Sequence, residues 1–234
     1  MLWWLTRSLA DVPDGDAWLG ASERAALSLL GIEKRRLDWT LGRYTAKVAL
    51  CGWLGVDPWR VEVLAAPSGA PIAHLDGRRL DIAVSISHRA GRALAVVAAP
   101  AIAVGCDLEL IEPRSAAFVR EWLAPAEQTR VNDAPSDEQP GLANLFWSAK
   151  EAATKARGEG LRLEVRHAQV MLGEPDPGAE EWHPLHVDWG PESERDHGWY
   201  RTDASWVMTV IGGGPIPPLA WPARAPVSLA AVRT

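Results

Sequence analysis

Residues 104–109 are Val-Gly-Cys-Asp-Leu-Glu, and they continue the apolar run Ala-Ile-Ala at 101–103. This stretch predicts a β-strand with Asp107 and Glu109 on one face, because strand side chains alternate between faces. Gly105 would let a neighbouring backbone or ligand approach closely. Two carboxylates on one face suit Mg²⁺, which takes oxygen ligands and few protein carboxylates. Taken alone, however, such a pair is better explained by a solvated strand.

A long helix is predicted further along the chain. Gln139-Pro140-Gly141 is expected to break the chain, and Leu142–Arg157 then runs without a breaker up to Gly158, a residue typical of helix C-termini. Glu151 and Lys155 are four positions apart and share a face of this helix. Taken alone, such a pair is usually a surface salt bridge worth about 0.2–0.5 kcal/mol.

Together, the strand and the helix provide carboxylates and a lysine that suit a magnesium ion and a phosphate. Their pattern is Gly-x-Asp-x-Glu at 105–109 followed by Trp-Ser-x-Lys-Glu-Ala-x-x-Lys at 147–155. This combination resembles the signature of the 4'-phosphopantetheinyl transferases, which transfer the phosphopantetheine arm of coenzyme A to a serine of a carrier protein and release 3',5'-ADP.

Weaker similarities extend over roughly residues 33–163. Residues 84–88, Val-Ser-Ile-Ser-His, resemble a strand of the family that ends in Ser-His. Residues 68–71, Ser-Gly-Ala-Pro, resemble a Gly-Lys-Pro turn, with Ala70 in place of the usual lysine. Positions 36, 42 and 43, Arg, Gly and Arg, resemble the basic residues and the glycine of the helix in the first half.

The resemblance implies roles for these residues. Asp107, Glu109 and Glu151 would hold Mg²⁺ against the pyrophosphate of coenzyme A, and Lys155 would lie against the phosphates. Glu151 and Lys155 are the candidate catalytic residues. Glu151 is also the candidate base for the serine hydroxyl. A carboxylate bound to a cation is a weaker base, so whether it holds the metal, accepts the proton or does both stays open.

A second group of residues is implied to bind the coenzyme, including its 3'-phosphate. Taken alone, exposed arginines on a helix are common, and a single histidine is more often structural than a ligand. Glycine and proline in the turn would act through backbone shape. The coenzyme-binding residues implied by the resemblance are Arg36, Arg43, Gly69, Pro71, Ser87, His88, Asp107 and Lys155.

The length of 234 residues suits one sizeable domain or two small ones. The resemblance is to the large, Sfp-type branch and implies an α+β fold in which two similar α/β halves form an intramolecular pseudo-dimer. The expected halves are 1–101 and 102–234, the second with a Gly/Pro-rich tail at 212–234. A faint internal repeat agrees, since Trp39, Arg43 and Lys47 have the spacing of Trp147, Glu151 and Lys155.

Composition indicates a cytoplasmic protein, expected to be a monomer. The net charge of −6 argues against nucleic acid as the main partner. Apolar runs are too short to span a bilayer, the start lacks the basic region of a signal peptide, and the two cysteines show no pairing pattern. The expected partners are coenzyme A and an apo acyl or peptidyl carrier protein, whose docking surface is expected within 114–139.

Two other functions remain open at the level of sequence. The chain could be a catalytically weak module that binds carrier proteins, or a magnesium-dependent phosphohydrolase that acts on nucleotides. The secondary structure expected outside the site includes a helix capped by Ser22, a helix at 34–54, a strand at 61–65, a turn-rich segment at 67–80, a hairpin at 82–99 and a strand at 165–172.

Overall fold

The computed structural model describes residues 2–158, 165–174, 181–191, 193 and 195–216. The chain divides into two compact units, and the boundary falls between Ala101 and Ile102. Helices and antiparallel sheets occur in both units, which confirms the predicted α+β class. None of the helices within the described ranges combines the length and apolar character needed to cross a bilayer.

The first unit packs two helices against antiparallel strands. Its elements are β1 (Leu2–Ser8), α1 (Ala21–Ser28), α2 (Glu33–Leu54), β2 (Val61–Ala65), β3 (Pro71–Leu75), β4 (Arg78–Arg79), β5 (Ala83–Arg89) and β6 (Arg92–Ala98). The strands form one sheet in the order β1-β6-β5 and another in the order β2-β3-β4. Strands β5 and β6 form the predicted hairpin. The core lies between these strands and the buried face of α2.

The second unit packs its longest helix across a single sheet. Its elements are β7 (Val104–Leu110), α3 (Ala116–Trp122), α4 (Pro125–Asp133), α5 (Gln139–Arg157), β8 (Gln169–Leu172), β9 (His183–Asp188), β10 (Asp196–Thr202) and β11 (Trp206–Gly212). The five strands have the order β7-β11-β10-β9-β8 and all pair antiparallel. The core contains Phe146, Ala149 and Ala153 of α5.

The order of elements is similar in the two units. Among the described strands of each unit, the first pairs with the last, β1 with β6 and β7 with β11. In each, the last two strands form an antiparallel pair, and a short helix precedes the long helix.

A buried ion pair in the first unit ties α1, α2 and β2 together. Lys47 Nζ of α2 lies 2.6 Å from Glu23 Oε2, and both side chains are 0% exposed. The same carboxylate accepts hydrogen bonds from the backbone N–H of Gly20, where α1 begins, and of Val63 in β2. The Glu23 carboxylate therefore caps α1, forms an ion pair with Lys47 and accepts a hydrogen bond from β2. These contacts compensate its charge within the core.

The second unit repeats this arrangement. Lys150 of α5 lies 2.7 Å from Glu127 Oε2, and Glu127 also accepts the backbone N–H groups of Ala124 and Val170. By environment, Lys150 is therefore the counterpart of Lys47. The repeat suggested by sequence spacing instead pairs Lys47 with Lys155, so its register is wrong. Identical spacing along two helices does not identify which face each lysine occupies.

Helix α5 lies unusually close to strand β7. A Cβ atom on Gly105 would overlap the carbonyl oxygen of Ala152 and would lie 2.5 Å from the backbone nitrogen of Ala156. Only glycine leaves room for this approach, which confirms the reason inferred for Gly105 from sequence. The helix ends as predicted at Gly158, whose φ of 70° is in the left-handed region.

Several predicted boundaries were wrong. Gln139-Pro140-Gly141 does not break the chain but forms the first turn of α5, because proline there lacks only an N–H that has no partner inside the helix. Helix α1 is capped at Gly20 and not at Ser22, whose backbone N–H donates to Glu62. The segment 67–80 contains β3 and β4, because pairing with β2 outweighs its turn-rich composition.

Two further predictions concern the last part of the chain. The strand expected at 165–172 is divided into a single 3-10 turn at Val165–His167 and strand β8. Gly212, the expected start of the irregular tail, is the last residue of β11. From 217 onward the tail lies outside the described residues.

We predict that Lys47→Met lowers the free energy of unfolding by about 3–5 kcal/mol, because it leaves the Glu23 carboxylate buried without its counter-charge. Lys150→Met should have a similar effect in the second unit. Urea denaturation measures both. Asp76→Asn is the matched control, since it breaks an ion pair with Arg60 whose side chains are 43% and 54% exposed. That loss should be much smaller than the loss at either buried pair, because solvent screens an exposed ion pair. Equal losses at exposed and buried pairs would contradict the prediction.

A second prediction tests the close approach of α5 to β7. Gly105→Ala should destabilise the protein by about 1–3 kcal/mol or more, because its Cβ meets backbone atoms that cannot move without displacing the helix. Gly141→Ala in the first turn of α5 is the control, since a Cβ there meets nothing within 4 Å. It should be neutral or stabilising by up to about 1 kcal/mol. Thermal unfolding of both variants checks the contrast, and an unaffected Gly105→Ala protein would contradict it.

Candidate functional site

The candidate site lies where α5 crosses β7, and it contains all four residues predicted from the two motifs. The shared face of the strand presents Asp107 and Glu109 to the helix, where they contact Lys155 and Trp147, respectively. Glu151 lies close enough for both strand carboxylates to raise its pKa. The alternation of the strand and the periodicity of the helix therefore bring together side chains that are far apart in sequence.

Lys155 forms the ion pair at the centre of this site. Its Nζ donates to Asp107 Oδ1 at 2.7 Å and to the backbone carbonyl of Cys106 at 3.1 Å. Burial opposes its positive charge, but Asp107, Cys106 and Glu151 more than offset this effect, so the pKa of Lys155 is raised above its ordinary value. The lysine side chain is 31% exposed and therefore remains accessible from solvent.

Glu151 is in an unfavourable environment for an ionised carboxylate. Within the described part of the chain, its Oε1 is buried and accepts no hydrogen bond. Burial raises the pKa of Glu151 above its ordinary value of 4.5, and the nearby Asp107 and Glu109 raise it further, while Lys155 acts in the opposite direction. A buried, negatively charged oxygen without a donor is the kind of group that a cation would stabilise.

Glu109 is held from two sides. Its Oε2 accepts from Arg114 Nη2 at 3.0 Å, and its Oε1 accepts from the indole N–H of Trp147 at 3.2 Å. Sequence reasoning did not include Arg114 in the site. The available signal was a lone arginine just before the helix cap at Ser115, five positions after Glu109.

The backbone of α5 is fixed on both sides of Glu151. The Ser148 and Thr209 hydroxyls are 2.9 Å apart and buried between the helix and β11. At the C-terminal end, Arg157 donates to Asp196 Oδ2 at 2.7 Å, and the same oxygen accepts from Trp189. These contacts hold the helix against the sheet and limit how far Glu151 can move.

The arrangement is not a preformed metal cage. Among the described residues, no group of three or more His, Cys, Asp or Glu side chains is arranged to hold a metal ion. The donor atoms at the site are nevertheless carboxylate oxygens, the ligands that Mg²⁺ prefers.

The implied coenzyme-binding residues that precede residue 102 belong to the first unit. Gly42 lies against β5, since a Cβ at this position would be 3.6 Å from His88 Cδ2 and 3.2 Å from Ile86 Cγ2. His88 is therefore next to the turn of α2 that carries Arg43. The guanidinium of Arg43 lies 4.9 Å from the Trp39 ring centre, and burial lowers its pKa.

The other residues implied to bind the coenzyme have mixed environments. Arg36 is exposed and donates to the carbonyl oxygens of Leu27 and Leu30, so it also closes the connection between α1 and α2. Ser87 is buried in β5. Gly69, with a φ of 89°, forms the turn before β3, whose first residue is Pro71.

Comparisons with known proteins agree with the geometry. Residues 103–211 match the sequence model of the 4'-phosphopantetheinyl transferase superfamily. This range contains β7, α5 and the four central side chains of the site. The chain is also 25% identical over 170 residues to the 4'-phosphopantetheinyl transferase HetI of Nostoc sp. (strain PCC 7120 / SAG 25.82 / UTEX 2576). The aligned region covers 72% of this chain and 71% of HetI. Residues 103–211 therefore carry the sequence pattern of the 4'-phosphopantetheinyl transferase superfamily, and the chain is similar to a 4'-phosphopantetheinyl transferase over 170 residues.

Proposed function

We propose that this protein is a 4'-phosphopantetheinyl transferase, which moves the phosphopantetheine arm of coenzyme A to a serine of an acyl or peptidyl carrier protein in a Mg²⁺-dependent reaction. Phosphopantetheine transfer to carrier proteins is the activity of the superfamily whose sequence model matches residues 103–211, and the similarity to a 4'-phosphopantetheinyl transferase supports it here. One observation carries the finer proposal, the cluster of Asp107, Glu109, Glu151 and Lys155 between β7 and α5.

Magnesium fits the residues present. Three carboxylates carry three negative charges, and Lys155 and Arg114 supply two positive charges at hydrogen-bonding distance. The buried Glu151 oxygen that accepts no hydrogen bond in the described residues supports a cation at this place. We propose that Asp107, Glu109 and Glu151 would hold it. When bound, Mg²⁺ would stabilise negative charge on the pyrophosphate.

The chain's own residues would align and neutralise the reacting groups. In the proposed reaction, the serine oxygen forms a bond to the phosphorus that carries the pantetheine arm. The bond from that phosphorus to the bridging oxygen breaks, and 3',5'-ADP leaves. Lys155 would lie against the phosphates as a compact positive charge. Glu151 remains the candidate acceptor of the serine proton.

In the first unit, Arg43, Ser87 and His88 are proposed to bind the 3'-phosphate. The contact of β5 with α2 at Gly42 supports this, because it brings His88 next to the turn that carries Arg43. Arg36 is proposed as a further basic contact, and Gly69 and Pro71 are proposed to act through the shape of their turn.

The carrier protein is proposed to dock on the stretch 114–139. A cleft of about 440 Å³ in the second unit supports this placement. Its lining includes Arg114, Val119, Arg120 and Gln139, so it offers both apolar and positively charged contacts. The large-branch arrangement of two similar halves remains a proposal, supported by the similar order of elements in the two units.

The test of the function is a mass measurement. The protein is incubated with coenzyme A, Mg²⁺ and apo carrier proteins of fatty-acid, polyketide and nonribosomal-peptide types, and each carrier is weighed. The expected result is the mass gain of one phosphopantetheine on at least one carrier. No gain on any carrier would overturn the proposal, and release of 3',5'-ADP without a carrier would favour a phosphohydrolase.

We predict opposite effects of Glu151→Gln on activity and on stability. Transfer should fall by about 10²–10⁴-fold. Without metal the variant should be more stable than the parent at pH 7. Each kcal/mol gained in the free energy of unfolding should raise the melting temperature by about 2–4 °C. The reason is that ionised Glu151 is buried beside Asp107 and Glu109.

The sign of the pH dependence follows from the raised pKa of Glu151. Protonation of Glu151 removes its buried negative charge and so stabilises the folded state. This contribution is complete below about pH 4.5 and is lost as the pH rises through the folded-state pKa of Glu151. The stability difference between the parent and Glu151→Gln should therefore shrink as pH falls towards 4.5. Addition of Mg²⁺ should raise the melting temperature of the parent more than that of the variant. Equal responses to Mg²⁺ would contradict Glu151 as a ligand.

A further prediction concerns His88→Ala. It should raise KM for coenzyme A by about 10-fold or more while changing kcat little, because a hydrogen bond to a charged phosphate is worth about 1.5–3 kcal/mol and the 3'-phosphate is remote from the reacting bond. Steady-state kinetics at saturating carrier protein measure the two constants. His183→Ala serves as the control, and an unchanged KM in His88→Ala would exclude His88 as a ligand.

A further inference from the structure

We propose that Arg114 is a positioning residue for transfer, which holds the Glu109 carboxylate in the orientation needed at the cation site. This inference rests on the proposed function. Arg114 follows β7 and precedes α3, and its side chain is only 16% exposed. It contacts Glu109, Asn144 and Phe118, with its Cζ 4.8 Å from the centre of the Phe118 ring. An arginine in contact on several sides has little freedom to reorient.

The orientation of Arg114 is set from α5 and not by Glu109 alone. Its Nε donates to Asn144 Oδ1 at 2.7 Å. Asn144 is fully buried, and its Nδ2 donates to the carbonyl oxygens of Glu112 and Pro140, both at 2.7 Å. Because the amide nitrogen already faces two acceptors, the amide oxygen must face Arg114. Asn144 therefore fixes the guanidinium from the helix that also carries Glu151 and Lys155.

Glu109 is thereby held between two rigid donors. Arg114 occupies one oxygen, and the Trp147 indole N–H occupies the other. Trp147 is itself fixed by edge-to-face contacts with Phe118 at 5.4 Å and with Trp122 at 5.1 Å between ring centres. Each carboxylate oxygen can accept two bonds, so these two donors do not by themselves prevent Glu109 from coordinating a cation. The two donors reduce the number of orientations that the carboxylate can adopt.

A purely electrostatic role for Arg114 predicts a different outcome from a positioning role. If Arg114 contributed only positive charge, its removal would make the site more negative and would strengthen cation binding. If it positions Glu109, its removal loosens the carboxylate and weakens cation binding. Lysine preserves the charge but not the planar fork of donors, whereas glutamine preserves a planar donor without the charge. The pair Arg114→Lys and Arg114→Gln therefore separates the two roles.

The experiment uses the full chain with coenzyme A and measures two quantities as Mg²⁺ is titrated, the transfer rate and the melting temperature. Both Arg114→Lys and Arg114→Gln should need about 10–100-fold more Mg²⁺ for half-maximal effect, the range typical of residues that orient metal ligands. Arg195→Lys is the control, because Arg195 pairs with Asp188 at 3.0 Å elsewhere in the second unit. Its Mg²⁺ dependence should equal that of the parent.

The outcomes separate this inference from the proposed function. If the parent shows neither transfer nor a Mg²⁺-dependent melting temperature, the proposed function fails and the role of Arg114 fails with it. If the parent shows both, but Arg114→Lys behaves like the parent and Arg114→Gln binds Mg²⁺ more tightly, Arg114 acts only through charge and the positioning role alone is overturned. Urea denaturation without Mg²⁺ verifies that each variant is folded. If one Arg114 variant does not fold, the other decides.

Discussion

The contact between Gly105 of β7 and the backbone of α5 at Ala152 is the constraint on which the site depends. Without a side chain at 105, the helix lies close enough to the strand for residues two and four positions further along β7 to meet side chains of α5. The residues on either side of Ala152 in the helix then have different roles, one structural and one at the candidate site. Lys150 fixes the helix to α4 through a buried ion pair, while Glu151 and Lys155 face the strand carboxylates. One close backbone approach thus positions both a structural ion pair and a chemical site.

Charge is distributed unevenly at this site. Asp107 is paired with Lys155, and Glu109 is paired with Arg114, at 2.7 and 3.0 Å. Glu151 has a buried oxygen that accepts no hydrogen bond in the described residues, and its pKa is raised by burial and by the other carboxylates. Such an arrangement lowers the stability of the protein when no cation is bound, and a bound cation would offset that loss. A local loss of stability is a common property of sites that bind charged ligands, because the same groups must be ready for the ligand.

Sequence periodicity predicted the central site because strand and helix each have a fixed repeat. Asp107 with Glu109, and Glu151 with Lys155, follow from it directly. Long-range information was required for the rest. Nothing in the turn-rich composition of 67–80 reveals that β2 lies alongside to pair with it. The orientation of Arg114 depends in part on Asn144, thirty positions away. The two buried ion pairs involve ordinary glutamates and lysines, whose partners come from different elements. Burial gives Lys47 and Lys150 the same environment, whereas sequence spacing pairs Lys47 with Lys155.

The most direct measurement of the central claim is a crystal structure of the protein with coenzyme A and Mn²⁺, an ion that accepts the same oxygen ligands as Mg²⁺ and is located by anomalous scattering. The account predicts an anomalous peak in contact with carboxylate oxygens of Asp107 and Glu151, beside the pyrophosphate of the coenzyme. An ordered coenzyme with the ion bound elsewhere, or with no peak at these two carboxylates, would contradict it.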